Sequence, residues 1–134
     1  MDILNHHHIE KIFAAHGVHF AYLFGSRAEN RALEPSDFDV AVCLAAPTKR
    51  ERFTERLKLQ ADLQNFLAPR RVDVVVLNDT HSATLRHEVA TKGKLIYESD
   101  ASGRLDFELR ALNEYEDFAP FLSAYNDMYQ KANV

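Results

Sequence analysis

Cysteine is nearly missing from this chain: its 134 residues hold one, Cys43. A single thiol cannot close an internal disulfide, so a reducing cytoplasm is the expected setting. Cys43 sits in an apolar strand pattern and reads as a small buried hydrophobe, not as a nucleophile. Positive charge is also scarce. Sixteen Lys and Arg stand against 20 Asp and Glu, a net charge of -4. A general nucleic-acid binder carries a basic footprint, so direct nucleic-acid binding is not expected. No apolar run approaches the roughly 20 residues of a membrane span, and the N-terminal stretch lacks the apolar region of a signal peptide. Internal repeats, low-complexity linkers and domain-boundary signals are missing as well. What remains is a chain with 46% hydrophobic residues, read as a single domain over 1–134 with one core.

The informative stretch is Leu23 to Val42. Strand-forming residues Ala21-Tyr22-Leu23-Phe24 stop at Gly25-Ser26. A polar segment with Pro35 follows, and Asp37-Phe38-Asp39 opens a second apolar strand, Val40-Ala41-Val42-Cys43-Leu44. Strand side chains alternate between faces, so Asp37 and Asp39 share a side about 7 Å apart, while Phe38, Val40 and Val42 point into a core. Two carboxylates closed to about 4 Å would repel by about 4 kcal/mol at an effective dielectric near 20. Protonation, full hydration or an intervening cation relieves this. Mg²⁺ prefers one or two carboxylates plus substrate phosphates. Gly25 lets backbone approach closely, and free N–H groups at a helix start attract anions. Alone, Asp-x-Asp is most often a solvated strand start; Gly-Ser ahead of it shifts the reading to a magnesium-nucleotide site.

Gly25-Ser26, ten residues, then Asp37-Phe38-Asp39 resembles the signature of the DNA polymerase β-like nucleotidyltransferases. The fuller form, Gly25-Ser26-Arg27-Ala28 with Ser36-Asp37-x-Asp39, is similar to their minimal nucleotidyltransferase (MNT) branch. Relatives carry a third carboxylate on a later strand, and Asp73 in Arg71-Val72-Asp73-Val74-Val75-Val76-Leu77 matches it. Asn30 stands where relatives often have glycine; Asn tolerates left-handed backbone better than most residues. The resemblance implies that Asp37 and Asp39 bind the metal gripping a triphosphate. With Asp73 they would hold a second Mg²⁺, and Asp73 would draw the proton from the attacking hydroxyl. Ser26 and the backbone at Gly25 would hold the outer phosphates. Arg27 would either pair with a phosphate or cap the motif.

The rest of the chain supplies a scaffold. Residues 5–16 read as a helix with Ile9, Ile12 and Phe13 on one face, stopped by Gly17. His6-His7-His8 makes a poor metal site, because consecutive helical residues do not share a face. Strands are expected at Val18–Phe24, Asp37–Leu44, Val72–Leu77 and Lys94–Tyr97. A short helix is expected within Arg27–Leu33. Thr48 should cap a helix over Lys49–Leu67, with Phe53, Leu57, Leu63, Phe66 and Leu67 as its buried stripe. Lys49, Arg50 and Arg52 read as a solvated face, with phosphate or acidic-partner contact as the functional alternative. Asn78-Asp79-Thr80 should cap a helix over His81–Thr91, with Arg86 and His87 read as surface residues and not as a catalytic pair. A last helical segment starts at Ser99 or Asp100 with Leu105, Leu109, Leu112 and Phe118 on one stripe. Pro120 should break or kink it. Beyond lie Phe121, Leu122, Tyr125, Met128 and Tyr129, a composition common at interfaces, so the tail 98–134 is expected to touch a partner.

The fold class expected is α/β (α+β): a small mixed sheet of about four strands flanked by helices, with a helical C-terminal tail. The chain has no room for a second substrate domain. The resemblance therefore implies a borrowed acceptor: a HEPN-type nuclease toxin, neutralised when this antitoxin moves AMP from ATP to one of its tyrosines. Two alternatives are a non-catalytic antitoxin that covers the toxin's active site, and a transferase for a small molecule such as an aminoglycoside.

Overall fold

The structure, a computed structural model, describes residues 6–25 and 38–132, with the side chains of residue 6 and of residues 117–119 and 121–132 outside the description. In chain order the elements are α1 (His6–Ala15), β1 (Val18–Phe24), β2 (Phe38–Leu44), α2 (Lys49–Leu67), β3 (Val72–Val76), α3 (Ala83–Lys92), β4 (Lys94–Glu98) and α4 (Ala101–Ala132). The four strands form one sheet in the order β3-β2-β1-β4. β1 runs antiparallel to both β2 and β4, and β2 runs parallel to β3. The sheet is mixed, as expected. Among the described residues no helix is long and apolar enough to cross a membrane.

Both faces of the sheet are covered, so β1 reads as an almost unbroken apolar run instead of an alternation. Val18, Ala21, Leu23, Phe38, Val40, Val42, Val72, Val74 and Val76 pack with Ile9 and Phe13 of α1 and Leu59, Leu63 and Leu67 of α2. On the other face Phe20, Tyr22, Phe24, Ala41 and Leu77 pack with Val89 of α3, and Phe107 of α4 lies against them. Alternation along each strand thus sorts one sequence into two cores.

Local signals account for most boundaries. Gly17 takes a left-handed conformation (φ 65°) and closes α1. The Thr48 side chain accepts from the Glu51 N–H and caps α2. α3 begins later than expected. Its cap is Ser82, which accepts from the Leu85 N–H; Asn78 is instead tied to Leu44, donating to its carbonyl and accepting from its N–H. Of the break or kink expected at Pro120, the break does not occur. α4 continues to Ala132 with Pro120 inside it, because one lost backbone bond leaves the turns on either side with their own.

The buried stripe of α2 also differs. Leu59, Leu63 and Leu67 carry it, whereas Phe53 is 57% and Leu57 49% exposed. At 3.6 residues per turn, Phe53 and Leu57 lie roughly 80° and 120° around the helix from Leu63, past the edge of the contact with the sheet. Arg86 and His87 are not plain surface residues either. Arg86 pairs with Glu114 at 2.6 Å and His87 stacks on Tyr115 with ring centroids 3.8 Å apart, so together they fasten α3 to α4.

Candidate active site

Three strand ends meet at one end of the sheet. Phe24, the last residue of β1, is paired with Asp39 on β2. Asp39 is paired in turn with Asp73 on β3. The parallel β2–β3 ladder opens where the Phe38 N–H donates to the Arg71 carbonyl at 2.8 Å, which fixes the register. Phe38, 2% exposed, anchors the start of β2 in the core beneath α1 and α2. Alternation then turns Asp39 to the opposite face, the side of Ala41 and of α3 and α4. Asp73 has the same parity as Val75, which packs on that side too. Directly paired residues on neighbouring strands point the same way, so the two carboxylates stand side by side. Asp39 is half-buried and Asp73 exposed.

Gly25 follows β1 with φ 81°. A Cβ placed on it would lie 2.7 Å from Oδ2 of Asp39. The residue was expected to let backbone approach a phosphate. It also gives the Asp39 carboxylate its space, a demand visible only once β1 and β2 are paired.

Asp37, Ser26 and Arg27 lie outside the described residues, as do Asn30 and the helix expected within Arg27–Leu33. The structure therefore brings together Asp39, Asp73 and Gly25 of the six expected site residues. Two carboxylate oxygen donors on adjacent strands are of the chemical type that suits a hard divalent cation such as magnesium. Among the described residues no group of three or more His, Cys, Asp or Glu side chains is placed to hold a metal ion.

A family model matches the chain over residues 7–102: polymerase β, nucleotidyltransferase. The chain belongs to this nucleotidyltransferase family. Its members' fold is that of a nucleotide-using transferase, and the match spans α1 through the start of α4. Solved structures agree. A chain in a mutant of the toxin–antitoxin pair MntA–HpeT superposes with a TM-score of 0.72 at 26% identity, covering 94% of this chain and 98% of that one. A chain of a toxin–antitoxin structure with AMP-PNP gives 0.69 at 25% identity, covering 94% and 99%. A chain from the tri-AMPylated Shewanella oneidensis HEPN toxin in complex with MNT antitoxin gives 0.64 at 26%, covering 96% and 99%. No curated protein matches the chain.

For this nucleotidyltransferase the basic start of α2 divides by role. Arg52 gives two hydrogen bonds to Asp79, at 3.0 and 2.8 Å, and a third to the Ala46 carbonyl. The Arg52 guanidinium holds the Asp79 carboxyl below its ordinary value. Arg52 is thus a structural clamp between α2 and the loop after β3, which the charge pattern alone did not distinguish from a phosphate contact. Lys49 instead lines a groove of about 310 Å³ with Phe53, Arg56 and the outer edge of β3. Cys43 is half-buried rather than fully buried, and burial pushes its thiol pKa up.

Proposed function

We propose that this chain is the antitoxin of a toxin–antitoxin pair, a nucleotidyltransferase that moves AMP from ATP to a tyrosine hydroxyl of a HEPN-type ribonuclease toxin and so neutralises it. Asp37, Asp39 and Asp73 would hold Mg²⁺, in two ions. Bound magnesium supplies positive charge to the triphosphate and to the departing pyrophosphate. Asp73, the exposed member, accepts the proton of the tyrosine hydroxyl. The tyrosine oxygen bonds to the α-phosphorus, the bond from that phosphorus to the bridging oxygen breaks, and pyrophosphate leaves with the electron pair. Ser26 and the backbone at Gly25 orient the outer phosphates, with Arg27 as a further phosphate partner. The helical tail, 98–134, is proposed to contact the toxin.

One observation carries this reading: the pairing of Asp39 with Asp73 beside the positive-φ Gly25, in a chain of this family. Likeness over nearly whole chains to structures of toxin–antitoxin pairs, one of them tri-AMPylated, supports the choice of acceptor. The test is intact-mass spectrometry of the cognate toxin after incubation with this protein, ATP and Mg²⁺. Mass steps of one AMP are expected on an acceptor tyrosine. Combining Asp37→Asn with Asp39→Asn should cut the transfer rate by roughly 10³-fold or more. Full neutralisation by that double variant with no adduct would mean an antitoxin acting by binding alone. Turnover of ATP with an aminoglycoside and no protein partner would mean a small-molecule transferase.

A further inference from the structure

β3 is an edge strand, and part of its outer side is open. In the parallel ladder with β2, the Phe38 N–H donates to the Arg71 carbonyl and the Leu77 N–H to the Val42 carbonyl. Odd-numbered residues of β3 therefore turn their backbone groups to β2, while Val72, Val74 and Val76 turn theirs outward. The outward N–H groups of Val72 and Val74 are held by Gln64 and Gln60. The Val76 carbonyl accepts from the Asp79 N–H at 3.1 Å. The Val74 carbonyl and the Val76 N–H have no hydrogen-bond partner among the described residues.

These two groups form a matched set. In a parallel pair, one residue bonds the carbonyl before and the N–H after the residue it faces. An incoming strand parallel to β3 thus has one complete seat, opposite Val75. The seat opposite Asp73 is closed, because the Val74 N–H it needs is held by Gln60. An antiparallel strand would exchange both bonds with one residue, and there Val74 has its N–H engaged and Val76 its carbonyl.

Beside the seat lies the groove of about 310 Å³ walled by α2. Phe53, 57% exposed, is its apolar side. Lys49 stands at one end, where its charge reaches Asp79. Arg56 stands at the other, donating to Gln60 at 3.2 Å. Asp79, the one acid lining the groove, is already clamped by Arg52. Lys49 and Arg56 make no ion pair among the described residues. Strand side chains alternate, so both neighbours of a residue seated opposite Val75 point toward α2, one to each cation.

We propose that the outer edge of β3 receives an extended acidic segment of a partner protein, added parallel to β3. Acids at alternate positions meet Lys49 and Arg56, with their stems on Phe53. Backbone bonds supply attachment, and the alternate side chains supply selectivity. The segment is extended because the open groups belong to a strand edge, and acidic because the groove presents two cations without a carboxylate. This surface is separate from the tail 98–134, and the inference does not depend on the nucleotidyl-transfer reading.

The probe is the end-blocked peptide Ser-Val-Glu-Val-Glu-Val-Ser, titrated into the isotope-labelled full chain and followed by amide NMR shifts. Saturable shifts centred on Val76 are expected at low salt. Lys49→Glu should weaken binding about tenfold or more, as should glutamine in place of both glutamates of the peptide. A nitroxide on the peptide's C-terminus should broaden Asp79 and Thr80, and one on its N-terminus should broaden Gln60. Lys49 is exposed, so an unchanged melting temperature shows that the variant folds. Absence of saturable shifts at Val76 overturns the proposal. So does binding that ignores both charge changes, or the reverse nitroxide pattern. Shifts at Val76 that grow with protein concentration, without peptide, would give the groove to a second copy and overturn it too.

Discussion

At the scale of single residues, two glycines make a useful contrast. Gly17 and Gly25 both hold positive φ, 65° and 81°. An L side chain there costs about 1–2 kcal/mol of backbone strain. Around Gly17 an added Cβ meets nothing nearer than the Ala45 Cβ at 3.7 Å, whereas at Gly25 it meets the Asp39 carboxylate at 2.7 Å. Gly17→Ala should therefore lower stability alone. Gly25→Ala should lower stability by a similar amount and also displace the Asp39 carboxylate. A misplacement of about 1 Å can cost about 10²-fold in rate. The check is the initial rate of AMP transfer beside the melting temperature for both variants. Equal loss of rate in the two would remove Gly25 from the site. The sequence marked both glycines as turns; which one stands against a carboxylate depended on β1 pairing with β2.

At the scale of elements, the edge strand β3 shows what a helix face can do besides bury leucines. The Val72 N–H donates to Oε1 of Gln64 at 3.0 Å, and Gln64 Nε2 gives its own hydrogen bond to the Arg70 carbonyl at 2.6 Å. One turn earlier, Gln60 Oε1 accepts from the Val74 N–H at 3.3 Å. α2 thus caps the outer backbone groups of β3 with two glutamines spaced to match alternate strand residues. Uncapped edges invite pairing with another chain. Gln64→Ala leaves part-buried backbone groups unpaired and should cost about 1–2 kcal/mol. That loss should appear as a lower urea midpoint at unchanged slope. The same change made together with Gln60→Ala should raise light scattering on heating; an unaltered midpoint and scattering would show that the edge has no need of these caps. In the sequence these glutamines look like ordinary polar positions of a helix. Their function appears only when β3 lies beside α2, as does the exposure of Phe53 and Leu57.

For the whole molecule, the joint between α1 and α2 makes stability depend on pH. His16 Nδ1 lies 2.5 Å from Glu55 and Nε2 2.6 Å from Asp62. Burial pulls the imidazole pKa down, but the hydrogen bonds it donates to Asp62 and Glu55, and the charges of those carboxylates, outweigh it, and the folded value stands above the ordinary 6.5. The protonated ring is the form that folding favours. Its contribution is therefore complete below about pH 6.5 and is lost as pH rises through the raised folded value. Denaturant midpoints near pH 6 and near pH 8 should show native protein losing stability over this window, and His16→Gln should flatten that fall. Carboxylates act in the opposite sense. Asp100, lowered by the Gly103 backbone N–H and by His19, and Asp79, lowered by Arg52, add stability above their ordinary 3.8 that is lost as pH falls through their folded values.

Sequence alone determined the mixed sheet, the strands, the inward side of Phe38, Val40 and Val42, and the family, because these follow from alternation, turn residues and a motif of fixed spacing. The contacts that α2 and α3 make did not follow. Periodicity tells how many apolar residues a helix has, not which of them meets the sheet, so Leu59 replaced Phe53 and Leu57 in the core. Of the break or kink that Pro120 signals, the break did not follow, because a local breaking signal competes with the hydrogen bonds of a whole helix. Only tertiary structure decided that Asp39 and Asp73, thirty-four positions apart, stand in paired rows. The strands' alternation restricts the register to one parity, and long-range packing and backbone bonds such as that from Phe38 to Arg71 select it.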